Sequence, residues 1–120
     1  MLNLDTHILL FALAGKLTAR ENRLLASNQW SISAIVLWEL SKLAQLGRIE
    51  LELDSAELLR LFGGIHVWPL TLEICREIRS LDFHSDPADE IIAATSLVHR
   101  VPLLTRDRLI LRSKVLAFAR

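Results

Sequence analysis

Apolar residues in this chain follow two patterns that alternate along its length. Short apolar runs of three to five residues predict strands at Leu2–Leu4, Trp30–Ser33, His66–Leu70 and Pro102–Thr105. Apolar residues at helical spacing predict helices at Ile8–Ala14, Ala19–Ala26, Ala34–Leu46, Ser55–Phe62, Leu72–Leu81 and Pro87–His99. A last short run predicts a further strand at Val115–Phe118. Because strands that alternate with helices form parallel sheets covered on both faces, the pattern predicts an α/β fold.

Glycine and proline residues fall at the ends of these segments. Gly47 is predicted to end the third helix and Gly63–Gly64 the fourth, since glycine readily adopts the backbone that closes a helix. Pro102 opens a strand, and Pro87 falls in the first turn of a helix, where its missing N–H is tolerated. The pattern contains no repeat and no linker. We therefore expect residues 1–120 to form a single domain.

Composition narrows the class of protein further. The chain is 52% hydrophobic and 23% charged, which excludes a disordered or fibrous protein. Fourteen Lys and Arg balance fourteen Asp and Glu, so any nucleic-acid function must depend on a local site. No apolar run approaches the roughly 20 residues of a membrane span, and the amino terminus does not resemble a secretory signal. We expect a cytoplasmic protein with no membrane partner.

Acidic residues recur where predicted strands end or the next helix begins. Asp5 closes the first predicted strand, and Asp107 follows the fourth strand. Glu39 lies in the helix after the second strand, and Asp89 lies in the helix before the fourth strand. Ligands of an open parallel sheet bind at the carboxyl ends of its strands, so these acids are expected to converge. Clustered carboxylates repel one another unless a cation neutralises them, and oxygen ligands favour Mg²⁺ or Mn²⁺ over zinc. The residues alone predict a divalent-metal site.

Each acid also has a structural interpretation. Asp86 resembles a helix N-cap, with a proline after it and Asp89 in the first turn, where negative charge suits the helix dipole. Asp5 and Asp107 are placed to cap the helices that follow them, and Glu39 also fits a partly solvated helix surface. The metal interpretation therefore depends on the joint placement of the acids and not on any one of them.

Other candidate side chains carry weaker signals. The four histidines are scattered without zinc-like spacing, and surface or capping roles are expected for His7. Trp30, Trp38 and Trp68 lie in or beside predicted buried elements, so we expect them to pack in the core. Cys75, the sole cysteine, is expected to be a buried apolar side chain. None of these residues indicates a second site.

Three segments of the chain together resemble the PIN domain of the VapC toxin type. They read LNLDTHILLFAL, ISAIVLWELSKL and DPADEIIAATSLVHRVPLLTRD, and the resemblance covers nearly the whole chain. In that family the metal is held by the acid after the first strand, the glutamate of the second segment and the aspartate that opens the I-I-A-A-T helix. A fourth acid often follows a T-x-D strand ending. Those positions are Asp5, Glu39, Asp89 and Asp107 here.

The resemblance implies a fold, an activity and partners. The fold is a three-layer α/β/α sandwich with a mainly parallel central sheet. The activity is metal-dependent endoribonuclease cleavage of single-stranded or structured RNA, in which water bound to Mg²⁺ or Mn²⁺ attacks a phosphodiester. The partners are a second copy of the chain, giving a homodimer, and a small cognate antitoxin whose helix lies in an apolar groove and whose tail blocks the acidic pocket.

Four residues are expected to support this site. The resemblance matches Thr6 to the hydroxyl beside the first acid, and Thr105 supplies another hydroxyl near the pocket. Either hydroxyl is expected to bind a metal-bound water or a phosphate oxygen. Arg106 is placed to meet an RNA phosphate. Asp86 is expected to act as a cap or as an outer group of the site.

Two other functions fit part of the pattern. A catalytically inactive PIN-like module that binds RNA or protein is the main alternative, although all four acidic positions are present. A response-regulator domain also uses acids at strand ends with Mg²⁺. That domain requires an aspartate at the end of a central third strand, where this chain has Pro69 and Thr71.

Overall fold

A computed structural model describes residues 1–120 as short strands alternating with helices. The strands are β1 (Leu2–Leu4), β2 (Trp30–Ser33), β3 (His66–Trp68) and β4 (Leu103–Leu104). The helices are α1 (Thr6–Ala14), α2 (Ala19–Ala26), α3 (Ala34–Gln45), α4 (Ala56–Gly63), α5 (Leu72–Glu77), α6 (Pro87–His99) and α7 (Arg108–Leu111). A 3₁₀ turn, Ile78–Ser80, continues α5. No helix is long and apolar enough to cross a membrane.

The four strands form one parallel sheet in the order β3-β2-β1-β4. In β1, Asn3 lies opposite Ser31 of β2 on one side and Leu103 of β4 on the other. Helices flank this sheet, which confirms the predicted α/β class. Because all strands run in the same direction, the residues that follow β1, β2 and β4 meet at one edge of the sheet.

The core of the molecule lies on both sides of β1, whose three residues are all buried. Leu4, Ile32 and Ile92 from the strands and α6 are essentially inaccessible to solvent. Asn3 is also buried, and its Nδ2 donates to the Ile92 carbonyl oxygen at 3.1 Å and to Ser96 Oγ at 2.9 Å. A buried amide must find such partners, so these bonds fix β1 against α6. They thereby fix the start of the segment that carries Asp5.

Several predicted boundaries differ from the observed ones. The predicted strand His66–Leu70 ends at Trp68, since Pro69 has no N–H to continue the ladder. Val115–Phe118 forms only a single parallel bridge between Phe118 and Leu103. Helix α7 was not predicted, because four residues are too few to show a helical period. The strand predicted at Pro102–Thr105 is reduced to the two residues of β4.

Two predictions of burial are wrong. Trp38 is 55% exposed, because the inward positions of α3 are taken by Val36 and Leu40. Cys75 is exposed because the neighbouring Ile74 is the residue of α5 that packs inward. Trp38 and Cys75 each lie one or two positions along the helix from a buried residue, and at that spacing a helical side chain points to solvent. The prediction for Gly47 is confirmed: it has a φ of 69° just after α3.

Candidate functional site

Asp5 lies at the carboxyl end of the central strand β1 and is only 3% exposed. Its N–H donates to the Leu104 carbonyl oxygen at 3.0 Å, and Thr105 Oγ1 donates to Asp5 Oδ2 at 2.7 Å. Asp5 is the N-cap residue of α1, yet its side chain makes no capping hydrogen bond. Its second oxygen, Oδ1, is buried and has no hydrogen-bond partner. The capping interpretation therefore does not explain this carboxylate.

Glu39 reaches the same edge from α3, the helix that begins directly after β2. Ser33 caps this helix, since its side chain accepts from the Ile35 N–H at 3.2 Å. Glu39 is half-buried, and its Oε1 accepts a hydrogen bond from the buried Thr6 hydroxyl. Thr6 follows Asp5 directly, so this bond brings the Glu39 carboxylate to the start of α1. Thr6 thus positions the Glu39 carboxylate, and the binding of a metal-bound water or a phosphate by its hydroxyl stays a prediction.

Asp89 and Asp86 lie together at the beginning of α6. Asp86 caps the helix, because its Oδ1 accepts from the Asp89 N–H at 3.0 Å. The half-buried Asp89 carboxylate accepts from Ser85 Oγ at 2.8 Å through its Oδ2. The predicted capping role of Asp86 is confirmed, while Asp89 lies close enough to Asp5, Asp86 and Glu39 for their charges to act on its carboxylate. The role of Ser85 was not anticipated from the sequence.

Asp107 follows β4 and caps α7. Its Oδ1 accepts from the N–H groups of Leu109 at 2.8 Å and Ile110 at 3.2 Å. Its own N–H donates to Thr105 Oγ1 at 3.0 Å, and that hydroxyl donates in turn to Asp5. Thr105 therefore joins the two acids in one hydrogen-bonded chain. Asp107 therefore has the capping role that its sequence position allowed, and it also lies beside Asp5.

The pKa values of these carboxylates record their burial and their mutual repulsion. Burial raises the pKa of Asp5 and of Glu39 above the ordinary values, and nearby carboxylates raise both further. The pKa of Asp89 is raised to about 6, first by burial and then by repulsion from Asp5, Asp86 and Glu39. Asp107 is the acid that repels Asp5. Asp5, Glu39, Asp86 and Asp89 thus lie within electrostatic reach of one another, and Asp107 lies within reach of Asp5.

The acids share a region but do not form a closed cage. No three His, Cys, Asp or Glu side chains are arranged as a group that could hold one metal ion. Glu39 and Asp89 instead accept hydrogen bonds from the hydroxyls of Thr6 and Ser85. The available donors are nevertheless carboxylate and hydroxyl oxygens, and Asp5 Oδ1 is a buried acceptor without a donor. Such a set fits a hard divalent cation better than zinc, and metal binding by these residues stays a prediction.

Arg106 lines the pocket that contains Asp5 and Asp107. Its Nε and Nη2 donate to the two carboxylate oxygens of Glu21 at 2.8 and 2.6 Å, and Nη2 also reaches the Lys16 carbonyl oxygen at 3.1 Å. This pairing holds the pKa of the buried Glu21 down at about 2 and raises the pKa of Arg106. The guanidinium also lies over the Phe11 ring, 3.9 Å from its centroid. Arg106, Phe11, Asp5, Asp107 and His7 line a pocket of about 260 Å³.

Sequence reasoning missed the partner of Arg106. Thr18 and Glu21 show the spacing of a capping box, and the structure contains that box. The spacing identifies Glu21 as a cap residue but carries no signal for a contact 85 positions away in the chain.

Comparison with known proteins gives one family and a consistent set of folds. The model of the PIN domain family matches residues 3–114. The structure of VapBC2 from Rickettsia felis bound to a DNA fragment from their promoter is similar, with 19% identity, a TM-score of 0.73 and coverage of 98% of this chain and 97% of that chain. The crystal structure of FitAcB from Neisseria gonorrhoeae is similar at 26% identity, a TM-score of 0.67 and coverage of 98% and 96%.

A toxin-antitoxin complex from Klebsiella pneumoniae is also similar, at 21% identity and a TM-score of 0.68 over 89% of this chain and 87% of that chain. The comparison with curated proteins gave no match. The predicted resemblance in fold is therefore confirmed over nearly the full length of the chain.

Proposed function

Because this chain belongs to the PIN domain family, whose members are nucleases, we propose that it is a divalent-metal-dependent endoribonuclease and the toxin of a toxin–antitoxin pair. The observation that carries the proposal is Asp5: a carboxylate 3% exposed at the end of the central strand, with one oxygen unpartnered and other acids around it. A buried, repelled carboxylate destabilises a fold unless a ligand compensates. A divalent cation is the compensating ligand with the right charge.

The proposed ligands are Asp5, Glu39 and Asp89, with Asp107 beside Asp5 as a fourth group. When bound, Mg²⁺ or Mn²⁺ would activate a water and stabilise negative charge on the scissile phosphate. The protein's own contribution is to hold these oxygens in place. Thr105 orients Asp5 by donating to Oδ2, which leaves Oδ1 available. Preorganisation of this kind lowers the cost of assembling the site around a cation.

RNA as the substrate rests on the resemblance to VapC-type toxins. The chain has no net charge, so binding must come from the site itself and not from a broad basic surface. The main alternative, an inactive module, is disfavoured because all four acids are present, and burial and neighbouring carboxylates raise the pKa of both Asp5 and Asp89. Ionised carboxylates in such surroundings cost stability when no cation is bound. Cleavage of DNA by the same site is an outcome that the experiment below distinguishes.

The proposed protein partner is a small antitoxin, since the similar structure from Klebsiella pneumoniae is a toxin-antitoxin complex. An apolar groove of about 330 Å³ lies between α1 and the segment after α3. Its apolar lining is Leu10, Phe11, Leu13, Ala14, Ile49 and Leu51. Phe11 also lines the acidic pocket, so a helix in this groove would place its following residues over the acids.

A second copy of this chain is the other proposed partner. Leu59 is 62% exposed and Trp38 55% exposed, so both large apolar side chains are available to a protein partner. We therefore expect a homodimer in the cytoplasm.

The proposal is tested by the purified protein with a panel of single-stranded RNAs and the matching DNAs. We expect RNA cleavage that requires Mg²⁺ or Mn²⁺ and stops with chelator. Asp5→Asn and Asp89→Asn should each lower the rate more than about 100-fold, since outer groups of metal sites already contribute about 10- to 100-fold. Asp54→Asn is the matched control, because Asp54 is exposed and outside the site. Full activity in a folded Asp5→Asn protein would remove the proposed site.

A further inference from the structure

The pocket beside Asp5 and Asp107 contains more than carboxylates. One wall consists of the Arg106 guanidinium stacked on Phe11, and His7 completes the rim. His7 and Phe11 are four residues apart on α1, so both side chains lie on the same face of that helix. His7 is exposed and its side chain makes no hydrogen bond within the chain. Neither His7 nor Phe11 is among the proposed cation ligands.

The guanidinium is fixed in position and only partly used. Nε and Nη2 are occupied by Glu21 and the Lys16 carbonyl, while Nη1 has no partner within the chain. The guanidinium carbon lies over the Phe11 ring at 3.9 Å from its centroid, and the Arg106 side chain is 36% exposed. The two hydrogen bonds to Glu21 and the contact with Phe11 together restrict the orientation of the group. It therefore offers a rigid flat surface and one free donor group to whatever enters the pocket.

The charges around this plane favour a neutral ring over a phosphate. Glu21 neutralises Arg106 through two charge-assisted hydrogen bonds, so the group adds little net positive potential. Asp5 and Asp107 line the same pocket and repel anions. A base is uncharged, and bases of single-stranded RNA stack on histidine, on phenylalanine and on guanidinium planes. The pocket of about 260 Å³ is also below the roughly 300–1,000 Å³ of pockets that bury a whole drug-sized ligand.

We propose that His7, Arg106 and Phe11 form a subsite for one unpaired nucleobase next to the scissile phosphate, with the base against His7 and the Arg106 plane and a base acceptor bonded to Nη1. This inference rests on the proposed ribonuclease function. It makes the pocket a selector for unpaired RNA, because a base within a duplex cannot leave its stack without cost. His7 and Arg106 are then substrate-binding residues that contribute to KM.

The test combines a change in the protein with a change in the RNA. A short single-stranded RNA is mapped for its cleavage point, and variants are made that lack one base on either side of that point. With the wild type, removal of the bound base should raise KM roughly 10-fold, the size expected for one stacked base. His7→Ala should raise KM for the intact RNA by a similar factor with kcat largely unchanged. For His7→Ala, the KM with the abasic RNA should be little higher than the KM with the intact RNA.

Two further variants separate stacking from indirect effects. His7→Phe keeps a flat ring at the rim and should restore the KM of the intact RNA, which a merely structural role for His7 would not predict. His66→Ala is the matched control, since His66 is an exposed histidine on the edge strand β3, outside the pocket. A binding measurement in chelator, by fluorescence anisotropy of labelled intact and abasic RNA, should show the same factors without turnover.

Three outcomes overturn the proposal and remain distinct from failure of the function itself. If wild type and His7→Ala share the same KM, or if the abasic penalty is equal in both, no base binds at His7. If the wild type cleaves no RNA with either metal, the proposed function fails instead. Equal cleavage of a duplex and a single strand of the same sequence would also contradict the subsite.

Discussion

Asp89 is a carboxylate of the proposed site whose ionised form is in an unfavourable electrostatic environment. It lies half-buried in the first turn of α6, where the helix dipole favours negative charge, yet its pKa is raised to about 6. Burial and the repulsion from Asp5, Asp86 and Glu39 therefore outweigh both the dipole and the hydrogen bond from Ser85. A residue that destabilises its own fold in the ionised form is typical of a functional site.

Asp89→Asn should stabilise the cation-free protein. A raised folded-state pKa means that the proton binds more tightly to the folded chain, so the contribution to stability is present below the unfolded pKa of 3.8 and is lost as pH rises through about 6. The neutral amide avoids this loss. After allowance for solvent screening of a half-exposed group, the gain is about 1–2 kcal/mol near neutral pH. Urea denaturation in chelator measures it.

The pH dependence of this gain provides the control. The difference between Asp89→Asn and wild type should shrink towards zero at about pH 4, where Asp89 itself is protonated in the folded protein. A gain that does not change with pH would show that charge is not its cause. An Asn variant less stable than wild type at every pH would contradict the assigned repulsion.

Thr105 is the second residue whose loss should be measurable. Thr105→Val removes the hydroxyl that donates to Asp5 Oδ2 and accepts from the Asp107 N–H, while nearly preserving side-chain shape. Hydrogen bonds to charged groups contribute about 1.5–3 kcal/mol, so we expect a loss of unfolding free energy in that range. Thr105→Ser keeps the hydroxyl and should lose much less. Equal free energies of unfolding in urea for Thr105→Val and Thr105→Ser would show that the hydroxyl does not contribute to stability.

At the scale of elements, the sharpest sequence signals gave the most accurate bounds. Helix α6 begins and ends where predicted because Asp86 and Pro87 mark its start and a left-handed Arg100 closes it after His99. The placement of the acids at one sheet edge was also predictable, since it follows from parallel topology alone. Their hydrogen-bond partners were not, because Ser85 and Thr105 are set by loop geometry that no periodic pattern encodes.

The contact between α2 and the end of β4 belongs to the same class of unpredicted features. Glu21 is buried and Arg106 comes from 85 residues later, so only the folded chain brings them together. Leu25 is the buried apolar residue of α2, and the partly buried Leu24 also packs against the core. The ion pair adds a polar attachment between this helix and the segment after β4.

Arg106→Ala should destabilise the protein more than the double variant Arg106→Ala with Glu21→Ala. The single change leaves a buried carboxylate without its partner, and breaking a buried pair costs about 3–5 kcal/mol. Because Arg106 is partly exposed, we expect a smaller loss of unfolding free energy than this for the single variant, and a still smaller one for the double variant. Urea unfolding of the two variants and of Glu21→Ala completes the cycle. A double variant as unstable as the sum of both single changes would rule out the pair as a stabilising contact.

At the scale of the whole molecule, the proposed site links folding, pH and cation binding. Asp5, Glu39 and Asp89 all have raised pKa values, so their ionisation opposes folding as pH rises. A cation that binds the ionised carboxylates reverses this effect, and its binding competes with protons. The effect of metal on stability should therefore be largest at the pH values at which the ionised, cation-free carboxylates most destabilise the fold.

Mg²⁺ or Mn²⁺ should accordingly raise the Tm of the wild type, and by more at about pH 7.5 than at about pH 5. At a free metal concentration about 100 times Kd the stabilisation is about 2.7 kcal/mol, or roughly 10 °C for a chain of this length. Thermal scans in each metal, in chelator and in NaCl of equal ionic strength separate binding from screening. The double variant Asp5→Asn with Asp89→Asn should be more stable than wild type in chelator and indifferent to both metals. If this double variant gains as much from Mg²⁺ as the wild type does, the cation binds elsewhere, and the shared carboxylates must be explained without it.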